Sequence, residues 1–594
     1  MITSSRVRGN MGRKKVNRQV ESDAGGNTAT AAWPAMSLDQ IQSILCAPGA
    51  PFEMEAVTIR GVETRTWKNA PPSLMALLAV GRGHGDRLFC IYEDERISYD
   101  AFFRATATLA NALVARGIKP GDRIALAMRN LPEWPVILFA ATGCGAIIVP
   151  LNAWWTGLEL DYALRDSGCR MLLCDPERLD RIVPHRAALP DLVDVIVTRG
   201  AGGGDVERLE DIIGLPNDWS ALPAAQMPTI AIAPDDAAAI FYTSGTTGHP
   251  KGALGSHRNL MTNILSGTYA GARTVMRRGE ALPEPKPRTT LLVVPLFHVT
   301  ACSAGLMGLI ASGSTMVMMA KWDTVRAFEL IERERVNATG GVPTIAWQLI
   351  EHPDRDKYDL SSLEVISYGG APSAPELVRR IQSDLKSQPG NGWGMTETMA
   401  TVTSHAAEDY LNRPESCGPA VPVSDLRIMD EDATRVLGVG ERGEIWARGP
   451  QIVMGYWNKP EATAATFVDG WVRTGDIGYV DEEGFCYIAD RAKDVIIRGG
   501  ENIYSSEVEN ILYDHPAVMD AALVGIAHRT LGEEPAAVVH LAPGMTASEE
   551  ELKAWVRERL AIFKVPVRVL FCDETLPRNA NGKILKRDLK VLFE

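Results

Sequence analysis

Phe241-Tyr-Thr-Ser-Gly-Thr-Thr-Gly-His-Pro-Lys-Gly252 is the stretch on which the reading of this chain turns. It follows an apolar run, is dense in Gly, Ser and Thr, and ends in a lysine. A loop of that composition can aim backbone N–H groups and hydroxyls at a polyphosphate, with Lys251 adding a cation. Thr243, Ser244, Gly245, Thr246, Thr247 and Gly248 are the residues that would line it. It is not a Walker A sequence, which needs GxxxxGK followed by Ser or Thr. Composition alone leaves a second reading open, a Ser/Thr-rich surface loop with no ligand.

Outward from this loop, short apolar runs alternate with amphipathic stretches from about Trp33 to Tyr487. The runs include Arg123–Ala127, Ala146–Pro150, Met171–Cys174, Val193–Thr198, Ala238–Tyr242 and Leu291–Pro295; helical patterns include Tyr99–Arg116 and Leu158–Ser167. That rhythm predicts an α/β architecture with parallel strands buried on both faces. After Asp490 the texture changes. A helix at Ser506–Tyr513, strands near Met519–Ile526 and Ala536–Leu541, and a charged helix at Ser548–Leu560 predict a small α+β domain. The expected division is a basic tail over 1–35, a large domain over 36–489 and a small domain over 490–594.

The 594 residues exceed what one core supports, and 46% hydrophobic with 23% charged residues is the balance of a soluble globular protein. A net charge of −13 excludes a protein built to coat nucleic acid. Nine cysteines are scattered without a CxxC pair, which predicts reduced thiols in a cytoplasmic protein and not a disulfide framework or a zinc ribbon. Val136–Leu151 and Thr289–Ala320 are apolar enough to suggest membrane spans. The first is short, and both are cut by Gly and Pro, so they are expected in the α/β core, with no integral membrane span. The first 35 residues carry Arg6, Arg8, Arg13, Lys14, Lys15 and Arg18 and no apolar run, unlike a secretory signal. They read as a disordered tail or as sequence upstream of a start at Met11 or Met36, with an organelle transit peptide as the further alternative.

The loop at 241–252 resembles the signature of the adenylate-forming superfamily, which includes acyl-CoA and aryl-CoA synthetases, nonribosomal-peptide adenylation domains and luciferases. Further motifs resemble that family's in its order: Tyr368-Gly-Gly-Ala-Pro372, Gly392-Trp-Gly-Met-Thr-Glu397, Arg473-Thr-Gly-Asp476, Asp490-Arg-Ala-Lys-Asp494 followed by Gly499-Gly-Glu-Asn502, and Pro577-Arg-Asn-Ala-Asn-Gly-Lys583. The resemblance covers nearly everything after Trp33. It implies a large multi-sheet N-terminal domain with a small mobile C-terminal domain. The implied activity is an AMP-forming acyl-CoA synthetase, which uses ATP, Mg2+ and coenzyme A.

Site roles follow from the same resemblance. Gly369, Gly370, Ala371 and Pro372 border the adenine, and Trp393, with Gly394 and Met395, offers it a flat face. Thr396 hydrogen-bonds the α-phosphate. Glu397 and Thr243 hold the magnesium, a hard cation that wants oxygen ligands. Asp476 is an acceptor-only carboxylate suited to the ribose hydroxyls, supported by Arg491. Lys583 is the catalytic lysine: an ammonium between carboxylate and α-phosphate offsets their repulsion and stabilises the pentavalent transition state. Lys586 and Arg587 are expected to be solvated. Lys493 is the hinge about which the small domain rotates between half-reactions, bringing Gly499 and Gly500 beside the pantetheine, with Phe563 and Lys564 toward its nucleotide end.

Pro295-Leu-Phe-His298 resembles the acyl-pocket motif, and His298 stands where amino-acid-activating relatives place an aspartate. A fatty, arylalkanoic or polycyclic acid is therefore expected, against Ala301, Cys302, Gly305, Val342, Gly369 and Gly392. The expected partners are that acid, ATP and coenzyme A, with no nucleic acid; a homodimer is left open. Three alternatives remain: loading of a separate acyl-carrier protein, a luciferase-like oxygenase, and a regulator that binds nucleotide without catalysis. Intact Glu397 and Lys583 count against the last.

Overall fold

The computed structural model describes residues 33–243, 249–369, 375–499, 501–579 and 583–593. Its two large sheets are built from the runs that lack alternation, as strands covered on both faces must be. In the first sheet the spatial order is Gly455–Tyr456, Gly252–Ser256, Ala237–Tyr242, Ile147–Pro150, Arg123–Ala127, Met171–Cys174, Asp194–Val197 and Val206–Arg208. In the second it is Ala400–Ala406, Gln388–Met395, Val365–Gly369, Ala338–Gly341, Thr289–Leu292, Thr315–Met318, Leu88–Tyr92 and Glu95–Ser98. Central neighbours pair in parallel, as in Arg123–Ala127 beside Met171–Cys174 and Thr289–Leu292 beside Thr315–Met318.

The largest core cluster draws on both sheets and on the helices between them. Local chemistry starts and stops these helices. Ser98 caps Tyr99–Ala115 by accepting the Ala101 N–H, and Thr156 with Glu159 forms a capping box before Gly157–Ser167, which Gly168 ends at φ 61°. Glu133–Gly143 is buried along its whole length and leads to the buried strand Ile147–Pro150, so the apolar stretch read as core is core. Thr289–Ala320 breaks into strand, π-helix Thr300–Leu306, helix Met307–Ser312 and strand. Among the described residues no helix is long and apolar enough to cross a membrane.

One difference from the expected parallel rhythm lies between Ser416 and Arg491. Here an antiparallel sheet runs in the order Ser416–Pro419, Phe485–Arg491, Trp471–Val480, Gly443–Arg448, Asp425–Met429. The Asp481–Gly484 turn, with Phe485 N–H donating to Asp481 Oδ1 at 2.9 Å, joins Trp471–Val480 to Phe485–Arg491 as a hairpin. This sheet continues to Arg491, past the Asp490 at which the sequence changes texture.

The small domain's sheet runs Glu501–Ile503, Ile496–Arg498, Gly532–Leu541, Val518–His528, with Arg568–Cys572 parallel to Gly532–Leu541. At the other end of the chain, Trp33–Ala35 lie on the large domain: Ala35 N–H donates to the Arg277 carbonyl, and the Arg277 guanidinium stands 5.1 Å from the Trp33 ring.

Candidate active site

A cavity of about 930 Å3 lies where both domains meet. Its floor is made by residues that end or follow the parallel strands of the second sheet: Val293, Met319, Val342, Gly369 and Thr396. The C-terminal edge of an α/β sheet is where such folds bind ligands, because the loops there diverge and expose backbone groups.

Trp393, Gly394, Met395, Thr396 and Glu397 form one wall. Gly394 is obligatory, since a Cβ there would stand 1.4 Å from the Ala400 carbonyl oxygen. The chain then turns through Met399 and Ala400, both at positive φ, 47° and 104°. That strain is over-determined by its neighbours. Thr398 Oγ1 accepts the Met395 N–H, while Asn263 on the helix His257–Arg277 accepts the Thr401 N–H and donates to the Met399 carbonyl.

The phosphate-loop neck is closed by its own ends. Thr243 N–H donates to the Lys251 carbonyl at 2.9 Å, and Lys251 N–H to Thr243 Oγ1 at 3.3 Å, so both side chains reach the cavity rim. Ser244, Gly245, Thr246, Thr247 and Gly248 lie outside the described residues, as do Gly370, Ala371, Pro372 and Gly500. Lys251 Nζ stands 4.5 Å from the Tyr456 ring centre, and the Tyr456 hydroxyl donates to Glu397 Oε1 at 2.6 Å. Burial pushes the Glu397 carboxyl above its ordinary range, against the downward pull of the Tyr456 hydrogen bond and the Lys251 cation.

Asp476 is buried beside the cavity. Its Oδ2 accepts the Trp393 indole N–H at 2.8 Å, and its Oδ1 faces Arg491 Nε at 3.2 Å. The two strands place Asp476 and Arg491 directly opposite each other. Arg491 itself lines the cavity.

Lys583 enters from the small domain. Arg578 is paired with the buried Asp520 at 2.7 Å, and Asn579 and Lys583 close a tight loop, Asn579 N–H to Lys583 O at 2.9 Å and Lys583 N–H to Asn579 Oδ1 at 3.0 Å. The Lys583 Nζ is buried at the cavity wall with no hydrogen-bond partner among the described residues. Burial and the Arg491 charge push its ammonium down to about 7, with Asp476 and Asp494 pulling the other way.

At the far end, Val293, Phe297, Val299, Met319, Val342 and Ile345 give an apolar lining. His298 lines it too; its Nε2 has no partner among the described residues, and burial drives the imidazole down to about 3, so it is neutral. Ala301, Cys302 and Gly305 are a correction. Ala301 and Cys302 belong to the main core, and none of the three lines the cavity. The π-helix Thr300–Leu306 turns Thr300 and Ala304 toward the space instead.

Other expected residues stand away from the cavity. Lys493 is exposed between the domains, and Gly499, at φ 60°, donates its N–H to the Leu531 carbonyl. Phe563 packs on the small domain's core, and Lys564 is held by Glu507 at 2.6 Å. Lys586, expected in solvent, is instead half-buried in an ion pair with Glu509 at 2.7 Å; Arg587 is exposed as expected.

Against known proteins, residues 78–457 match the AMP-binding enzyme family, and residues 507–583 match the AMP-binding enzyme C-terminal domain. The chain belongs to the AMP-binding enzyme family. This AMP-binding enzyme is 35% identical to a feruloyl-CoA synthase of Amycolatopsis sp over 497 residues, 84% of this chain and 94% of the relative. It is 33% identical to a long-chain-fatty-acid–CoA ligase of Bacillus subtilis over 536 residues, 85% of this chain and 91% of that one. A solved o-succinylbenzoate-CoA synthetase of Bacillus subtilis, in complex with its acyl-adenylate intermediate, superposes with a TM-score of 0.71 at 29% identity, covering 87% of this chain and 98% of the other. The chain is thus an AMP-forming acid–thiol ligase of the acyl-CoA synthetase kind, with ATP and coenzyme A as its co-substrates.

In this AMP-binding enzyme two site residues escaped the sequence reading. Tyr456 sits on a two-residue strand with no periodicity to mark it, and Asn130 lies in a turn. Asn130 donates to the Val294 carbonyl at 3.0 Å and accepts the Leu296 N–H at 2.8 Å, pinning the turn that carries His298.

Proposed function

We propose that the enzyme activates a hydrophobic carboxylic acid, fatty, arylalkanoic or polycyclic, and transfers the acyl group to coenzyme A. A carboxylate oxygen attacks the α-phosphorus of ATP, pyrophosphate leaves, and the thiol then displaces AMP from the acyl-adenylate. The observation that carries this reading is the unpartnered Lys583 amine buried in the wall of a cavity whose far end is apolar. Two anionic reactants must meet there, and a cation fixed between them lowers the barrier where charge develops.

In this reading Trp393 lies beside the adenine, Asp476 and Arg491 hold the ribose, and Thr396 and the loop around Thr243 and Lys251 hold the phosphates. The neutral His298 offers a hydrogen bond near the acid and no charge for an amine, which favours a plain acid over a free amino acid. Lys493 is the hinge, Gly499, Phe563 and Lys564 serve the second half-reaction from outside the cavity, and Gly500 is assigned to the same half-reaction.

A magnesium ion fits the donors on this rim. Among the described residues no three His, Cys, Asp or Glu side chains converge into a metal cluster, and the Glu397 carboxylate and the Thr243 hydroxyl both line the cavity. Mg2+ is held by one or two carboxylates plus substrate phosphates, which matches. When bound it supplies charge neutralisation on the phosphates. All nine cysteines are free and most are buried, which supports a reducing cytoplasmic setting; the apolar end of the cavity supports a place in fatty acid metabolism.

Pyrophosphate release across a panel of carboxylic acids, with and without coenzyme A, tests the assignment. Release with apolar acids, and acyl-CoA only when the thiol is present, is the expected result. Exchange with free amino acids alone, or thioester formed only on an added carrier protein, overturns it.

A further inference from the structure

A chain of polar side chains that no step above uses joins the two domains behind the cavity. Asp490 is the penultimate residue of the large domain's antiparallel strand, in register with Ile477 and next to Arg491. Its Oδ2 accepts both the backbone N–H and the hydroxyl of Ser505, the latter at 2.8 Å, and the Ser506 hydroxyl donates to the Ala489 carbonyl. Ser505 opens the small domain's helix Ser505–Tyr513. Its oxygen also accepts from the Lys586 ammonium. Lys586 Nζ stands 2.7 Å from Glu509 Oε1, one helical turn after Ser505, and that same oxygen accepts the Leu523 N–H at 2.7 Å. Asp490, Ser505 and Glu509 are all buried.

Two features make this more than a structural ion pair. The first is its position: Asp490 belongs to the large domain's sheet, Ser505, Glu509 and Lys586 to the small domain, and the exposed Lys493 segment lies between them. The second is its sequence neighbourhood. Lys586 follows Lys583 by three residues and starts the helix Lys586–Lys590, so whatever seats Lys586 also seats the loop that carries Lys583 into the cavity. A buried charge without its partners is strongly destabilising, so the chain favours one relative orientation of the domains, the one in which Ser505 meets Asp490.

We propose that Lys586 is a positioning residue, and that Asp490–Ser505–Lys586–Glu509 is a latch holding the small domain where Lys583 reaches the cavity. The proposal rests on the two-step reaction above. Opening the latch breaks the Ser505–Asp490 contacts while leaving Lys586–Glu509 intact, since both of those residues travel with the small domain. Adenylation needs the latched orientation; thioester formation does not.

Two variants separate the latch from simple loss of stability. Ser505→Ala removes the bridging hydroxyl and keeps the Lys586–Glu509 pair. The double variant Lys586→Met with Glu509→Leu removes both charges together and leaves neither stranded. Thermal unfolding checks that each is folded. Single-turnover pyrophosphate release should fall about tenfold in both, the scale of one lost hydrogen bond to a charged group. Conversion of preformed acyl-adenylate to acyl-CoA should hold or rise. Hydrogen exchange in the ligand-free protein should quicken across residues 485–491 and 501–509. Wild-type partition between the half-reactions, equal loss in both, or unchanged exchange overturns the latch. Wild-type protein that releases no pyrophosphate with any acid overturns the assigned function instead, and the exchange result still decides the latch.

Discussion

Asp476, behind the cavity-lining Trp393 and Arg491, and Lys583, in the cavity wall, come from different domains, and the fold treats them in opposite ways. Both oxygens of Asp476 are engaged before any ligand arrives, by the Trp393 indole and by Arg491. The Lys583 amine is equally sheltered but has no partner among the described residues. A group that only holds a ligand gains from being locked in place, because its ordering cost is met during folding. A group that stabilises a transition state gains from having its strongest interaction reserved for the charge that appears there. The large domain supplies the first kind of residue and the small domain the second.

The sharpest way to break this comparison is to remove the lysine. Lys583→Ala should lower adenylation by about 100- to 1,000-fold, the scale of losing one preorganised charge-stabilising group. Acyl-CoA formation from preformed acyl-adenylate should be nearly unchanged, because the two anions no longer need to be brought together. Assaying the half-reactions separately decides this; equal losses in both would make Lys583 a structural residue.

A smaller effect is expected on the other side. Trp393→Phe keeps an aromatic face but removes the N–H that Asp476 Oδ2 accepts, so the carboxylate loses its orientation. The KM for ATP should rise about tenfold with kcat less affected, as for one hydrogen bond to a charged group. A change in kcat alone would contradict a ribose-holding role for Asp476.

The smallest expected signal is a proton. With its pKa pushed down to about 7, Lys583 is mostly a neutral amine in the free enzyme at pH 8 and mostly an ammonium at pH 5.5. Bound polyphosphate favours the charged form and raises that pKa. ATP binding at pH 8 should therefore take up close to one proton, falling toward zero at pH 5.5 and absent in Lys583→Ala. Calorimetric titration in buffers of different ionisation enthalpy measures it. Uptake unchanged in Lys583→Ala would assign the proton to another group.

Much of the scaffold was legible because its strands are covered on both faces. Arg123–Ala127 and Met171–Cys174 stand where unbroken apolar runs sit between Gly and Asp or Arg punctuation. The antiparallel sheet was less legible: Ser416–Pro419 pairs with Phe485–Arg491, and no local pattern announces a partner so far along the chain. The acyl end misled for a related reason. Motif position brought Ala301 and Cys302 near the substrate, but the π-helix rotates side chains away from the α-helical phase, and Thr300 and Ala304 reach the cavity. Lys586 looked like an ordinary surface cation, since nothing local reveals that Glu509 and Ser505 await it.

By itself the sequence determined the order of the motifs, the change of texture near Asp490 and the residue types available for the chemistry: a Gly/Ser/Thr loop with a lysine, an acid at Glu397, another at Asp476 and a lysine near the end of the chain. Those are properties of short stretches, and local composition and periodicity carry them. Only the tertiary structure decided that Trp393 bonds Asp476 across 83 positions, that Tyr456 covers Glu397, that Lys586 is tied to Glu509, and that Lys583 is sheltered with no partner among the described residues. Such facts depend on which distant surfaces the folded chain brings together and keeps from water. The same burial that makes an unpaired ammonium costly is what makes it useful beside an anion.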